Sequence, residues 1–157
     1  MDKLPRERRS ENMRRIKSKN TAPELVVRRL VSGLGHRYRL HRKGLPGKPD
    51  LAFGPKRKVI FVHGCFWHTH EKCVDGRIPK SNQSYWLPKL TRNITRDKEN
   101  IAALEMNGWS VLVIWECETR DEQALTARLR EFLGHAAERS LAEYKHGCNH
   151  SLSGRMR

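Results

Sequence analysis

KVIFVHGCFWHTHEKC (residues 58–73) runs from a short apolar stretch straight into a loop that carries two cysteines, three histidines, a phenylalanine and a tryptophan. Lys58 to His63 is apolar at consecutive positions, so both of its faces need cover, which predicts a central strand in a buried sheet. A loop at the carboxyl end of such a strand is where α/β sheets place their ligands. Metal-ligand side chains and large aromatics in one loop admit two readings. Either the rings cover a metal as a miniature core, or the metal holds the rings out so that they act on something.

The residues on either side supply the rest of the domain. Thr21-Ala-Pro-Glu24 reads as a capping box with proline in the first turn, and Val27, Leu30, Val31 and Leu34 keep helical spacing up to Gly35. Tyr38 and Leu40 alternate with arginines as an edge strand. The loop GLPGKP ends at Asp50, and a short strand, Leu51 to Phe53, turns at Gly54-Pro55 into the central one. Downstream, Leu90, Ile94, Ile101 and Leu104 mark a helix closed by Asn107-Gly108. The member missing from that stripe is Asp97, an inward carboxylate that requires a hydrogen-bonding partner. Trp109 to Trp115 predicts a second interior strand leading into Glu116 and Cys117, and Leu125, Leu129, Phe132 and Leu133 predict a last helix. Helix, three strands, helix, strand, helix is the order of an α/β domain with a central mixed sheet flanked by helices. A chain of 157 residues suffices for one such domain and is short for two. We assign 1–20 to a basic N-terminal arm, 21–136 to the domain and 137–157 to a polar C-terminal tail.

Charge narrows the function. Lys and Arg number 32 against 17 Asp and Glu, a net charge of +15, which calls for an anionic partner, nucleic acid being the commonest. From Leu25 to Pro49 there is no acidic residue, yet Arg28, Arg29, Arg37, Arg39, Arg42, Lys43 and Lys48 fall there, behind an arm that is itself basic. No stretch has the roughly 20 apolar residues of a membrane span, and MDKLPRERRS lacks the apolar core of a signal peptide. A cytoplasmic protein without membrane contact is expected. In that reducing setting, four cysteines are better read as thiolates for metal than as disulfides.

Cys65, His70, Cys73 and Cys117 form a candidate four-ligand structural zinc site, three donors from one loop and the last from a neighbouring strand end. Cys148, flanked by His146 and His150, is the rival for the fourth place, although a ligand drawn from the tail costs more ordering entropy. Phe66 and Trp67 sit between ligands, so their backbone is pinned near the metal. Large apolar side chains on a rigid support are what wedge between DNA bases. Trp86, in Ser-Tyr-Trp-Leu-Pro just before the downstream helix, is another candidate, with core packing as its plainer reading.

Pro49-Asp50 at a strand start, followed by a buried strand after a short turn, fits a nuclease pattern in which an aspartate holds a divalent metal. Phosphodiester cleavage needs that metal and a base to activate water. The usual Glu-x-Lys is absent: the strand offers Phe61-Val62-His63, so a histidine must act as base and a backbone carbonyl as metal ligand. His63 and His68 are both in position, and Asp97 is the carboxylate available to orient one of them.

At this point a resemblance becomes specific. PGKPD (46–50), VIFVHGCFWHTHEKC (59–73), YW followed by K-x3-N-x2-RD (85–97), GWSVLVIWEC (108–117) and RSENMRRI (9–16) together resemble the very short patch repair (Vsr) endonuclease family over most of residues 9–133. The resemblance implies a restriction-endonuclease-like fold, a structural zinc, and magnesium-dependent nicking of DNA 5′ of the thymine in T:G mismatches, which arise by deamination of 5-methylcytosine. It further implies that Asp50 and the carbonyl of Val62 bind magnesium, that His68 is the general base, that His63 steadies the attacked phosphate and that Glu24 holds a water of the magnesium ion. Glu24 also completes the capping box, and one side chain does not easily do both. Cys65, His70, Cys73 and Cys117 become the zinc ligands; Phe66, Trp67 and Trp86 become an intercalating wedge. Met13 enters from the other groove, and Lys89 and Asn93, one turn apart on their helix, read the mismatched pair. The partners expected are duplex DNA with a T:G mismatch and, functionally, a cytosine-5 methyltransferase and mismatch-repair proteins, with the chain acting as a monomer. Glu71-Lys72 lengthens the interval before Cys73 relative to some family members.

Two other readings use the same residues differently. A restriction-type endonuclease cutting both strands needs no wedge and usually works as a dimer on a palindrome. A non-catalytic, zinc-stabilised DNA-binding protein does not need Asp50, His63 and His68 together.

Overall fold

In the computed structural model the described residues are Arg8, Glu11 and residues 19–135. Met13 and the alternative ligand Cys148 lie outside them. Within residues 19–135, three α-helices and four strands follow the expected order: α1 (Ala22–Gly33), β1 (Arg39–Leu40), β2 (Leu51–Phe53), β3 (Lys58–His63), α2 (Gln83–Met106), β4 (Ser110–Trp115) and α3 (Glu122–Leu133). The sheet runs β1-β2-β3-β4; β1, β2 and β3 pair antiparallel and β3 pairs parallel with β4.

Because side chains alternate across a strand, β3 feeds two cores. Ile60 packs with Leu51, Phe53 and Ile114 under Val27 and Val31 of α1 and Leu125, Leu129 and Leu133 of α3. Val59 and Phe61 pack with Ala52 and Trp109 under Leu104 of α2. Helices thus cover both faces, which is why this strand has no polar face. The same alternation sends His63, two residues after Phe61, to the α2 side, where Asp97 lies.

Three expectations need correction. The strand 110–115 is not interior: among the described residues β4 is the last strand of the sheet, and its apolar pattern reflects helices packed on both faces rather than a second neighbour. Helix α2 starts at Gln83, so Trp86 is in its first turns and not ahead of it, and Pro88 lies inside the helix. Pro88 cannot donate to the Ser84 carbonyl and its ring crowds that oxygen, a cost of about 3 kcal/mol that the rest of the 24-residue helix offsets. The capping box at α1 is half made: Thr21 Oγ1 accepts from the Glu24 amide at 3.4 Å, while the Glu24 carboxylate turns to Arg28 and His41. Among the described residues no helix is long and apolar enough to cross a membrane.

Candidate active site

The parallel register of β3 and β4 puts His63 opposite Trp115, so the residues after each strand emerge side by side. Cys117 follows β4 in a 3-10 turn, Glu116–Arg120, and meets the donors of the loop that leaves β3. Cys65, His70, Cys73 and Cys117 each offer a donor atom within 4.8 Å of the others. His70 Nδ1 lies 3.8 Å from Cys65 Sγ and 3.4 Å from Cys117 Sγ. Donors spaced this way fit a tetrahedral ion with bonds of about 2.0–2.3 Å, whose ligand atoms stand about 3.5–3.8 Å apart. Burial pushes the Cys65 thiol up to about 12 and also raises Cys117, so thiolates there need a cation to balance them. His70 is stacked on Trp115 at 4.3 Å, and Gly76 packs so closely that a Cβ would come 2.2 Å from the His70 carbonyl oxygen. Trp115 and Gly76 were not singled out from the sequence; a tryptophan ending an apolar strand looks like core.

Beside this cluster lies a cavity of about 620 Å³ lined by Asp50, Val62, His63, His68 and Asp97, with Lys19, Lys43, Lys48 and Arg96 also in its wall. The inward carboxylate of α2 has the partner it required, since Asp97 Oδ2 meets His68 Nδ1. With Nδ1–H donated to Asp97, Nε2 of His68 carries the lone pair. His63 and His68 stack at 3.8 Å with planes 7° apart. Burial, then the neighbouring His68, lowers His63 to about 4, so it stays neutral at neutral pH and serves as a hydrogen-bonding group, not a charge.

Asp50 Oδ2 accepts from the amide of Val62 at 2.7 Å, which ties the start of β2 to the end of β3 and leaves Oδ1 free of that bond. Burial raises its carboxyl above the usual range against the Val62 amide, and the nearby Glu24 adds to the rise. Glu24, 2% exposed, forms with His41 and Asp50 a further donor cluster, beside the Cys/His one and that of His63, His68 and Asp97. His41 is the residue that sequence reasoning missed: it sits in a basic run, and only its backbone conformation, at φ 45°, turns it toward the carboxylates.

Phe66, Trp67 and Trp86 form one aromatic cluster with centroids 5.1, 5.2 and 6.1 Å apart. None belongs to either apolar core and each is half-buried, so Trp86 is not the core residue its plainer reading made it. Lys89 Nζ sits over Trp67 at 5.2 Å and Trp86 at 5.7 Å, and Asn93 donates to the Trp67 carbonyl at 3.0 Å. Of the two residues expected to read bases, Lys89 thus sits over the rings and Asn93 fastens the backbone that carries Trp67. Thr69, between His68 and His70, has φ 48°, a left-handed backbone that a β-branched residue adopts only at a cost of about 1–3 kcal/mol. That joint lets His68 face Asp97 while His70 faces the cysteines.

The site therefore combines a metal-ready Cys/His cluster, a histidine–carboxylate pair in a basic cavity and an aromatic cluster on the surface. A profile of the family "DNA mismatch endonuclease Vsr" matches residues 1–74. Over 132 residues the chain is 52% identical to "Type II nicking enzyme V.XorIIP" of Xanthomonas oryzae pv. oryzae, covering 84% of this chain and 96% of that protein. It is 43% identical over 126 residues to "Type II nicking enzyme V.NmeAIP" of Neisseria meningitidis, covering 80% and 89%. To "DNA mismatch endonuclease Vsr" of Escherichia coli it is 41% identical over 130 residues, covering 80% and 83%. Identity of this level over most of the chain means that it belongs to the Vsr family of DNA mismatch endonucleases and is an endodeoxyribonuclease.

Proposed function

We propose that this endonuclease nicks duplex DNA on the 5′ side of the thymine in T:G mismatches left by 5-methylcytosine deamination, using magnesium for the chemistry and zinc in the Cys/His cluster for structure. The observation that carries this reading is the aromatic cluster of Phe66, Trp67 and Trp86, kept out of both cores and set beside the His68–Asp97 pair. Neither a two-strand cutter nor a non-catalytic binder needs both features.

Asp50 and the Val62 carbonyl would hold magnesium, which supplies stabilisation for the charge that builds on the phosphate. His68, oriented by Asp97, takes the proton from the attacking water, and neutral His63 donates a hydrogen bond to the phosphate. Glu24 orients a water beside Asp50. The antiparallel β2–β3 pair with Asp50 and His63 at its end supports a restriction-endonuclease-like core. Residues 1–20, with Met13, would embrace the duplex as a basic arm ahead of the catalytic domain 21–136; residues 137–157 form the tail. The enzyme acts as a monomer, because one mismatch carries no two-fold symmetry. Its natural context is a cell with a cytosine-5 methyltransferase and mismatch-repair proteins.

A labelled duplex with one T:G pair, its T:A control, and magnesium or chelator tests the proposal. Magnesium-dependent nicking of the T-bearing strand of the T:G duplex is expected; cutting of both strands of the control, or binding without cutting, would overturn it. A wobble pair stacks less well than a Watson-Crick pair, so a wedge turns a lower opening cost into selectivity. Trp67→Ala should lower nicking of T:G duplex by roughly ten-fold to a hundred-fold, the worth of one stacked ring, with metal content and melting temperature close to wild type. A collapse in melting temperature would make Trp67 a core residue instead. Asp97→Asn should lower nicking by about a hundred-fold, within the usual range for disturbing a general base, without loss of DNA affinity. Full activity in that variant would remove Asp97 from the mechanism.

A further inference from the structure

His41 lies where two carboxylates converge. Its Nε2 is 3.1 Å from Glu24 Oε1, and its Nδ1 is 3.8 Å from Asp50 Oδ1. The second distance is too long for a hydrogen bond; neighbouring ligands of an octahedral ion with bonds of about 2.0–2.1 Å stand about 2.8–3.0 Å apart, so the two atoms need only close by about 1 Å to share one ion. Asp50 Oδ2 is already engaged by the Val62 amide, so Oδ1 is the oxygen left to coordinate, and it is the one that faces His41. Metal-ligating histidines commonly donate their other N–H to a carboxylate, which fixes ring and tautomer. Glu24 stands in that place, itself held by Arg28, whose Nη1 is anchored to Asn20 Oδ1 at 2.8 Å.

We infer that His41 Nδ1 is a direct ligand of the catalytic divalent ion, beside Asp50 Oδ1, with Glu24 as the carboxylate that orients the imidazole. The inference rests on the proposed metal role of Asp50. Its chemical consequence is selectivity. An all-oxygen site suits magnesium, whereas an imidazole donor shifts preference toward transition ions such as manganese or cobalt. Arg28 Nη2, 3.2 Å from His41 Nε2, can only donate, so it competes with Glu24 for that nitrogen. Binding of the ion at Nδ1 requires the tautomer that carries its proton on Nε2 and donates to Glu24.

The test uses Mn2+ bound to the full chain with its Cys/His cluster metal-loaded, observed by pulsed electron paramagnetic resonance. Histidine nitrogen coupling to Mn2+ is expected in the wild type, confirmed by 15N-histidine labelling, and lost in His41→Gln. Competition should show Mn2+ affinity falling about ten-fold or more in that variant, the usual scale for disturbing a metal ligand's environment, with Mg2+ affinity changing far less. Absence of histidine coupling in the labelled wild type, a result independent of how the variant folds, would overturn the inference. So would coupling that persists in His41→Gln, or equal losses for both ions. Mn2+ binding that survives Asp50→Asn unchanged would overturn the metal role of Asp50 as well. Binding that depends on Asp50 but shows no nitrogen overturns His41 alone.

Discussion

Replacing Asp50 by alanine is expected to reduce nicking by at least about a thousand-fold, some 4 kcal/mol of transition-state stabilisation, while duplex affinity stays within about three-fold. Affinity comes mainly from basic groups facing phosphates, and Lys19, Lys43, Lys48 and Arg96 in the cavity wall are untouched by the change. Alanine also leaves the Val62 amide without its acceptor. Asp50→Asn is therefore the companion variant, since its amide oxygen still accepts that bond. Its stability carries a sign. A carboxyl whose folded pKa is raised by burial costs stability as the pH rises through the window between its unfolded and folded values, because ionising is harder in the fold. A neutral isostere avoids that cost, so Asp50→Asn should be inactive yet melt at or above the wild-type temperature at pH 7. An inactive variant that melts well below wild type would point to Asp50 as a structural residue, and near-normal cleavage would remove it from the site.

Cys117→Ser should lose the bound metal and with it much of the fold's stability. Structural zinc contributes roughly 10–16 kcal/mol in small zinc peptides. This domain has two apolar cores of its own, so only part of such a sum is at stake, but a fall in melting temperature of more than about 10 °C is still expected, since about 1 kcal/mol moves a domain of this size by several degrees. A chelator should reproduce the fall in the wild type. Metal analysis decides the fourth ligand: one zinc per chain retained by Cys117→Ser would hand the position to a donor outside the described residues.

The parts of the fold that depend on periodicity were legible in the sequence. The doubly apolar run at 58–63 becomes the strand with neighbours on both sides, and Asp97 was recognisable as the inward carboxylate because it breaks a stripe of apolar residues. What escaped depends on contacts between segments. The edge position of β4 cannot be told from a central one when helices cover both faces. The start of α2 at Gln83 was hidden by Pro88, which reads as a helix boundary until packing overrides it. Glu24 satisfied a local pattern, the capping box, and only the approach of Arg28 and His41 shows where its carboxylate goes. His41 gave no signal, since a histidine among arginines in a loop looks like solvated charge.

Thr69 has a further implication for anyone who would redesign this enzyme. Cys65, His68 and His70 lie within six residues and serve different neighbours through one left-handed joint, with Asn93 fastening the same loop by the Trp67 carbonyl. The segment is a cassette, portable only as a whole. To move the aromatic cluster and the donor cluster onto another nuclease, an engineer must carry residues 63–73 together with the end of β4 and the first turns of α2. Insertion of a single residue beside Thr69 would rotate either His68 off Asp97 or His70 off the cysteines, and no surface loop of convenient length can stand in for it.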